Sequence, residues 1–209
     1  MDDLNSAPST QEETPQPPQI PQTQSVRHKP LFFLLLLIVP LIVGLSIWMY
    51  NNVTADKPLQ RVLASDPRNA PIKEHARYDG WLDVHTLVFD VDDVTGEASR
   101  MDVLRTFLEY AEAMKDRRFK TVILACRGNR KFQMDGAYFQ QLGIEFSTQN
   151  PMYTIRTLPI NVTAMDGSHP YEEYEGGIFG VLSKELEQFG DFSDRWYGKD
   201  LLLEPEEVK

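Results

Sequence analysis

Two short stretches carry side chains whose types and spacing could do chemistry. In Leu87-Val88-Phe89-Asp90-Val91-Asp92 an apolar run ends in two carboxylates separated by one residue. Side chains alternate along a strand, so Asp90 and Asp92 can emerge on one side of its end. In Cys126-Arg127-Gly128-Asn129-Arg130 the single cysteine of the chain closes a second apolar run, Thr121 to Cys126, and leads into a basic turn, Arg127 to Lys131. Such a thiol is a nucleophile if its surroundings favour the thiolate, and a small buried hydrophobe otherwise. With one cysteine no intramolecular disulfide is possible, and the fold must rest on its core. His75, His85 and His169 are not at metal-ligand spacing, and His28 lies in the tail. Asp90, Asp92 and Asp93 lack the third ligand and the glycine of a calcium loop. No metal and no cofactor is expected.

The first stretch resembles the opening motif of the haloacid-dehalogenase-like phosphatases. The resemblance implies a nucleophile at Asp90, an acid/base at Asp92, and Mg²⁺ between them and a substrate. That family's second motif places Ser or Thr at the end of the next strand, where this chain has Cys126. Its late Asp pair belongs at a strand end, and the candidates here, Asp191 and Asp194, fall in a helical stretch. The alternative is a strand-to-turn junction where Asp caps loops. The second stretch resembles the active loop of rhodanese-type sulfurtransferases, whose backbone N–H groups cradle a cysteine thiolate. That loop reads Cys-Arg-x-Gly-x-Arg. Here a residue between Arg127 and Gly128 is missing, and the family's upstream Gly-His element has no counterpart. The alternative is a structural cysteine at a strand end.

The elements that must position these residues read as an α/β (or α+β) domain. Val84 to Val91 is a near-continuous apolar run, the pattern of a strand covered on both faces. Ser99 with Asp102 is a capping-box-like helix start. Leu104, Phe107, Leu108, Ala111 and Met114 then form one apolar face to about Lys115, with Arg105, Glu109 and Glu112 toward water. Thr121 to Cys126 is a second strand, and the βαβ unit predicts a parallel pair with a right-handed crossover. Asp135 caps a second helix with Tyr138, Phe139, Leu142 and Phe146 inward. Met152 to Leu158 reads as a third strand, stopped at Pro159. Ile178, Leu182, Leu186, Phe189, Phe192 and Trp196 form a stripe on a last helix that follows Gly176-Gly177. The expected sheet is short, of about three strands, mostly parallel and covered by helices. Arg117, Arg118 and Lys120 flank one end of the second strand, and Arg127, Arg130 and Lys131 the other, as two solvated clusters.

The rest of the chain is ordered around Leu31 to Tyr50, twenty residues without a charge. A helix of that length spans ~30 Å, the thickness of a hydrocarbon core. The expected division is a disordered Pro/Gln-rich tail at 1–30, a transmembrane helix at 31–50, a linker at 51–80 carrying Pro58, Pro67 and Pro71, an extracytoplasmic domain at 81–200 and a polar tail at 201–209. Trp48 and Tyr50 suit the headgroup level. Arg27, His28 and Lys29 before the run keep the tail in the cytoplasm and send the domain across, into the periplasm if the source is Gram-negative. Val53-Thr54-Ala55 has the spacing of a signal-peptide cleavage site, but the apolar run exceeds a signal core, which favours an uncleaved signal-anchor. Asn52-Val53-Thr54 and Asn161-Val162-Thr163 fit the N-glycosylation sequon, which matters only in a eukaryotic secretory lumen.

The formal net charge of the 209-residue chain is −10. An acidic domain is repelled by phosphate, so nucleic acid is not an expected partner, and neither are anionic headgroups for the domain as a whole. The expected partners are the bilayer, through residues 31–50, and another membrane or envelope protein. The expected role is non-enzymatic, a tethered binding or assembly module. Tyr171 and Tyr174, beside Glu172, Glu173 and Glu175 in a loop over 159–176, are candidate contacts, as are Arg127 and Arg130. A tethered enzyme using Cys126 or the Asp90/Asp92 pair is the competing reading.

Overall fold

The computed structural model describes residues 29–80, 83–96, 98–174 and 178–201, with side chains from Leu34 onward and, in the last long helix, from Gly180. Most of the two expected tails, the Gly176-Gly177 break, Glu175 and the Ile178 side chain lie outside the described residues. The chain divides into two units, Met1–Pro40 and Leu41–Lys209.

Helix α1 is Lys29–Asn51, with Pro40 inside it. Its apolar side chains from Leu34 to Tyr50 are exposed except the half-buried Ile47, with Leu41 and Trp48 at 71% and 65%. The stretch Leu34–Ser65 is one helix, long and apolar enough to cross a membrane. It passes through a π-helical turn, Asn52–Asp56, into α2, Lys57–Ser65. Ala55 and Leu59 on this continuation are fully buried. The expected linker at 51–80 is therefore not a linker. Pro58 is accommodated because it follows the π turn, where the regular i→i−4 hydrogen-bond ladder is already interrupted.

The same region then supplies a strand. β1, Ile72–Tyr78, pairs antiparallel with β2, Thr86–Val94. Ile72, Glu74, Ala76 and Tyr78 point inward and alternate with Lys73, His75 and Arg77. β2 pairs parallel with β3, Thr121–Cys126, across helix α3, Arg100–Ala113. This is the anticipated βαβ unit, and both halves of the Ser99/Asp102 capping box are formed. β3 then turns through Arg127 and Gly128, both at positive φ (48° and 79°), into β4, Asn129–Asp135. Two residues of that conformation make the turn whose twist fits a hairpin. The expected basic turn is thus only its first two residues. β5, Val162–Ala164, completes a five-stranded sheet in the order β1-β2-β3-β4-β5, with one parallel pair. The expectation of three mostly parallel strands missed the hairpin and both edges.

Helix α4, Gly136–Glu145, starts where expected, with Asp135 accepting from the Ala137 N–H. Gly143 lets it approach α3: a Cβ there would stand 2.2 Å from the Ala111 carbonyl oxygen. Met152 to Leu158 is not a strand. It lies in and just after α5, Pro151–Thr157, because Asn150 caps the Met152 N–H and Pro151 occupies the first helical position. Helix α6, Ile178–Ser193, runs on through a π turn, Asp194–Gly198, into α7, Lys199–Leu201. Its buried side differs from the expected stripe. Leu186 is 44% exposed, while Glu185 and Gln188 are buried, held by Arg156 at 2.6 Å and the Glu172 N–H at 3.3 Å. Arg105 and Glu109, expected toward water, are only partly exposed: Arg105 reaches Asn69 Oδ1 at 2.7 Å, in a short turn after α2.

One face of the sheet carries the main core, in which Phe89, Phe107, Phe139, Phe192, Trp196 and Tyr110 form a connected aromatic cluster. The Trp196 indole N–H donates to the Ala125 carbonyl at 3.0 Å, beside the bulge where β4 slips against β3. If the 51–65 helix is core rather than tether, Leu59→Ala must cost the domain about 2–5 kcal/mol, as burying a cavity does. Urea unfolding of the detergent-solubilised protein measures this, and a change under 0.5 kcal/mol would return the segment to linker status.

Candidate functional site

Asp90 and Asp92 do emerge on one face of β2, and β1 brings a histidine and an arginine to them. The His75 ring lies between the two carboxylates, Nδ1 at 2.6 Å from Asp92 Oδ2 and Nε2 at 3.8 Å from Asp90 Oδ2. Arg77 reaches Asp90 at 3.7 Å. Asp90 is fully buried, and the Gly128 N–H donates to both of its oxygens at 3.1 Å. Its carboxylate thus holds the β3–β4 turn in place, which requires Arg127 to adopt a backbone conformation that costs a non-glycine residue about 1–2 kcal/mol. A buried oxygen committed to a backbone N–H is a poor nucleophile. Asp92 is the accessible member of the pair. Among the described residues no group of three His, Cys, Asp or Glu side chains is arranged to hold a metal.

Cys126 is sealed in the core. Burial pushes its thiol up to about 12, and the Asp200 carboxylate nearby adds to the effect. This is the reverse of what a sulfurtransferase loop needs, where donors toward sulfur lower the pKa. The Gly128 N–H, which would belong to such a cradle, faces Asp90. Arg127 turns back to the Asp92 and Asp200 carbonyls at 3.2 and 3.3 Å. Arg130 forms an ion pair with Asp79, although β2 and β3 separate their strands. Both arginines are therefore engaged within the domain.

The tyrosine loop is the more open feature. Segment 170–174 runs between two clefts, of about 430 and 170 Å³. Tyr174 borders both, with Lys184 Nζ 5.4 Å from its ring centroid. Tyr171 is not an exposed anchor. It is 8% exposed, wedged against Phe132 and Phe192, and its hydroxyl donates to Asp191 at 3.1 Å. Tyr153, 45% exposed on α5, takes its place on the wall of the smaller cleft, with Arg156, Glu172 and Glu173. Sequence reasoning missed Tyr153 because it was placed in a strand. It missed His75 and Arg77 because β1 was read as linker; Glu74 interrupts the apolar alternation of Ile72, Ala76 and Tyr78.

It also missed Glu74, the most perturbed carboxyl described. Glu74 points into the core, and Oε2 has no hydrogen-bond partner. Burial raises its pKa to about 8, opposed by the Thr106 hydroxyl and assisted by the charge of Glu109. Thr106 Oγ1 stands 2.9 Å from both Glu74 Oε1 and the Val103 carbonyl. One hydroxyl has one proton and cannot serve both acceptors. A protonated Glu74 removes the conflict by donating to Oγ1 itself.

Neither family models, nor curated proteins, nor solved structures give a match to this chain.

Two measurements follow from these environments. Iodoacetamide leaves Cys126 unmodified in the folded protein and alkylates it fully in denaturant; labelling of the native protein would show that the thiol is reachable. Glu74 ionises at its ordinary 4.5 in the unfolded chain and near 8 in the fold. Its contribution is therefore complete below pH 4.5, declines as pH rises, and is exhausted above about 8. Unfolding free energy should fall by a few kcal/mol between pH 5 and 8, and Glu74→Gln should flatten that slope. An unchanged slope in the variant would place the titration elsewhere.

Proposed function

We propose that the chain is a single-pass membrane protein with a cytoplasmic N-terminus, whose extracytoplasmic domain binds another membrane or envelope protein through the Tyr153 and Tyr174 clefts. The observation that carries this reading is the uninterrupted helix from Leu34 to Ser65. Its first part presents apolar side chains apart from Ser46, and its last part packs Ala55 and Leu59 into the core beside β1 and α3. An apolar surface of that kind is stable in lipid, and water would penalise it by about 25 cal/mol per Å². Arg27, His28 and Lys29 support the orientation.

Binding is favoured over catalysis by the fate of the candidate nucleophiles. Asp90 is committed to the Gly128 N–H, and Cys126 is buried with a raised pKa. The clefts combine two tyrosines with charged side chains of both signs, the composition of a recognition surface. Anchoring confines the domain to a bilayer surface and so raises its effective concentration for a partner in the same membrane.

The test is made in membranes of the source cell. The full-length protein should stay in the pellet through carbonate extraction, with a C-terminal tag protected from protease until the outer face is opened. A photocrosslinker at Tyr174 should yield one discrete adduct, and one at the exposed Ile144 on α4 should not. Release by carbonate would remove the span. Equal crosslinking at the two positions would remove the cleft.

A further inference from the structure

The end of the domain nearest the helix exit can be identified from hydrogen bonds alone. The Tyr78 N–H donates to Asn51 Oδ1 and the Ala76 N–H to Asp56 Oδ1, each at 3.0 Å, while Gln60 Nε2 donates to the Glu74 carbonyl at 2.9 Å. Going along the helix from 51 to 60 is about 13 Å of rise, and going back along β1 from 78 to 74 is also about 13 Å. Helix and strand therefore run side by side in opposite directions. The sheet end at Tyr78 lies beside Tyr50, and the two rings are 6.0 Å apart. The start of β3 lies at that same end, since Leu87 pairs with both Tyr78 and Val122.

The loop entering β3 reads Lys115-Asp116-Arg117-Arg118-Phe119-Lys120. Arg117 donates to the Tyr78 hydroxyl at 3.0 Å, and the Phe119 ring is 6.5 Å from the Tyr78 ring. Only Tyr78 thus separates this loop from Tyr50. Arg117, Arg118 and Lys120 are exposed, and among the described residues none has a carboxylate within 4 Å. Most other cationic side chains of the domain do, including Lys73, Arg100, Arg105, Arg130, Lys131 and Arg156. Of the carboxylates at the same end, Asp79 pairs with Arg130, Asp83 accepts from the His85 N–H and the Thr86 hydroxyl, and Asp135 caps α4; Asp116, within the loop, offsets one of its four positive charges.

We infer that the Lys115–Lys120 loop is a docking site for the phosphates of anionic lipid headgroups on the leaflet from which the helix emerges. The inference rests on the membrane-span reading and adds a lipid class to it. Tyr50 suits the headgroup level, and a loop one aromatic ring away lies at a distance comparable to the ~10 Å screening length at 0.1 M salt. Guanidinium groups without a carboxylate partner match phosphate oxygens in pairs. The local excess of positive charge stands against a chain of net charge −10. The acidic domain would otherwise be pushed off an anionic surface, and this loop reverses that repulsion where the domain comes closest.

The test uses the full-length protein in nanodiscs of phosphatidylcholine, with or without phosphatidylglycerol. Asp116→Cys is labelled with a fluorophore, and a headgroup-spin-labelled lipid acts as quencher. Quenching should roughly double in the anionic discs and return to the neutral-disc value in about 1 M salt, where the screening length is about 3 Å. Arg118→Gln with Lys120→Gln, which leaves the Arg117–Tyr78 bond intact, should lose most of the increase. Equal quenching in both lipids, or an increase that the double variant retains, overturns the lipid site while leaving the span in place. Failure of the protein to enter discs overturns the span and the site together.

Discussion

The outer edge of β1 imposes the constraint on which the rest of the domain depends. An edge strand presents N–H and C=O groups that must find partners or invite another chain. Here they are met by side chains on a helix. Asn51, Asp56 and Gln60 act as a surrogate strand for Tyr78, Ala76 and Glu74. The arrangement needs Asn51 and Asp56, five residues apart, to face one line. In a regular α-helix such positions point about 140° apart. The π turn at Asn52–Asp56 widens the helix and narrows that angle, with the Lys57 N–H reaching back to the Asn52 carbonyl. The turn also puts Ala55 in the core, where its carbonyl accepts from the Tyr110 hydroxyl at 3.0 Å. A single wide turn thus fits a long apolar helix to a sheet edge.

Polar groups, not only apolar ones, fix how the layers meet. Two polar pairs from adjacent residues of α3 reach in different directions, Thr106 to Glu74 on β1 and Arg105 to Asn69 in the turn after α2. A buried polar contact specifies one arrangement only when its members are satisfied, and the unpartnered Oε2 of Glu74 leaves its pair strained where that carboxyl is ionised. On the opposite face of the sheet, Asp90 plays a comparable part by tying β2 to the hairpin turn. The aspartate that looked most like a nucleophile is therefore a structural clasp. The arrangement puts chemistry-bearing residue types to work in holding the fold.

What was legible in the sequence followed from period and capping. The βαβ unit showed itself because β2 and β3 are covered on both faces and α3 has a capping box. β1 was not legible because its inward set includes Glu74, whose burial depends on Thr106 some thirty residues on. α5 was not, because Met152 to Leu158 has β-branched and aromatic residues in a run, while the decisive signal, Asn150-Pro151, lies just before it. β4 was hidden by the charges at its start, whose partners Asp79 and Asp200 come from distant parts of the chain. Of the candidate site, the shared face of Asp90 and Asp92 followed from alternation. Their bridging by His75 did not, because it needs the pairing of β1 with β2. Tyr171 and Tyr174 could not be told apart without knowing that Phe132 and Phe192 stand behind only one of them.

The clamp on β1 has a mechanical side. From Leu41 onward no flexible joint separates the helical shaft from the sheet, so the domain behaves like a vane fixed to an axle. Each residue added to or removed from the shaft swings the vane by about 100°. Twisting the shaft would therefore turn the two tyrosine clefts with it, without any bending of the domain.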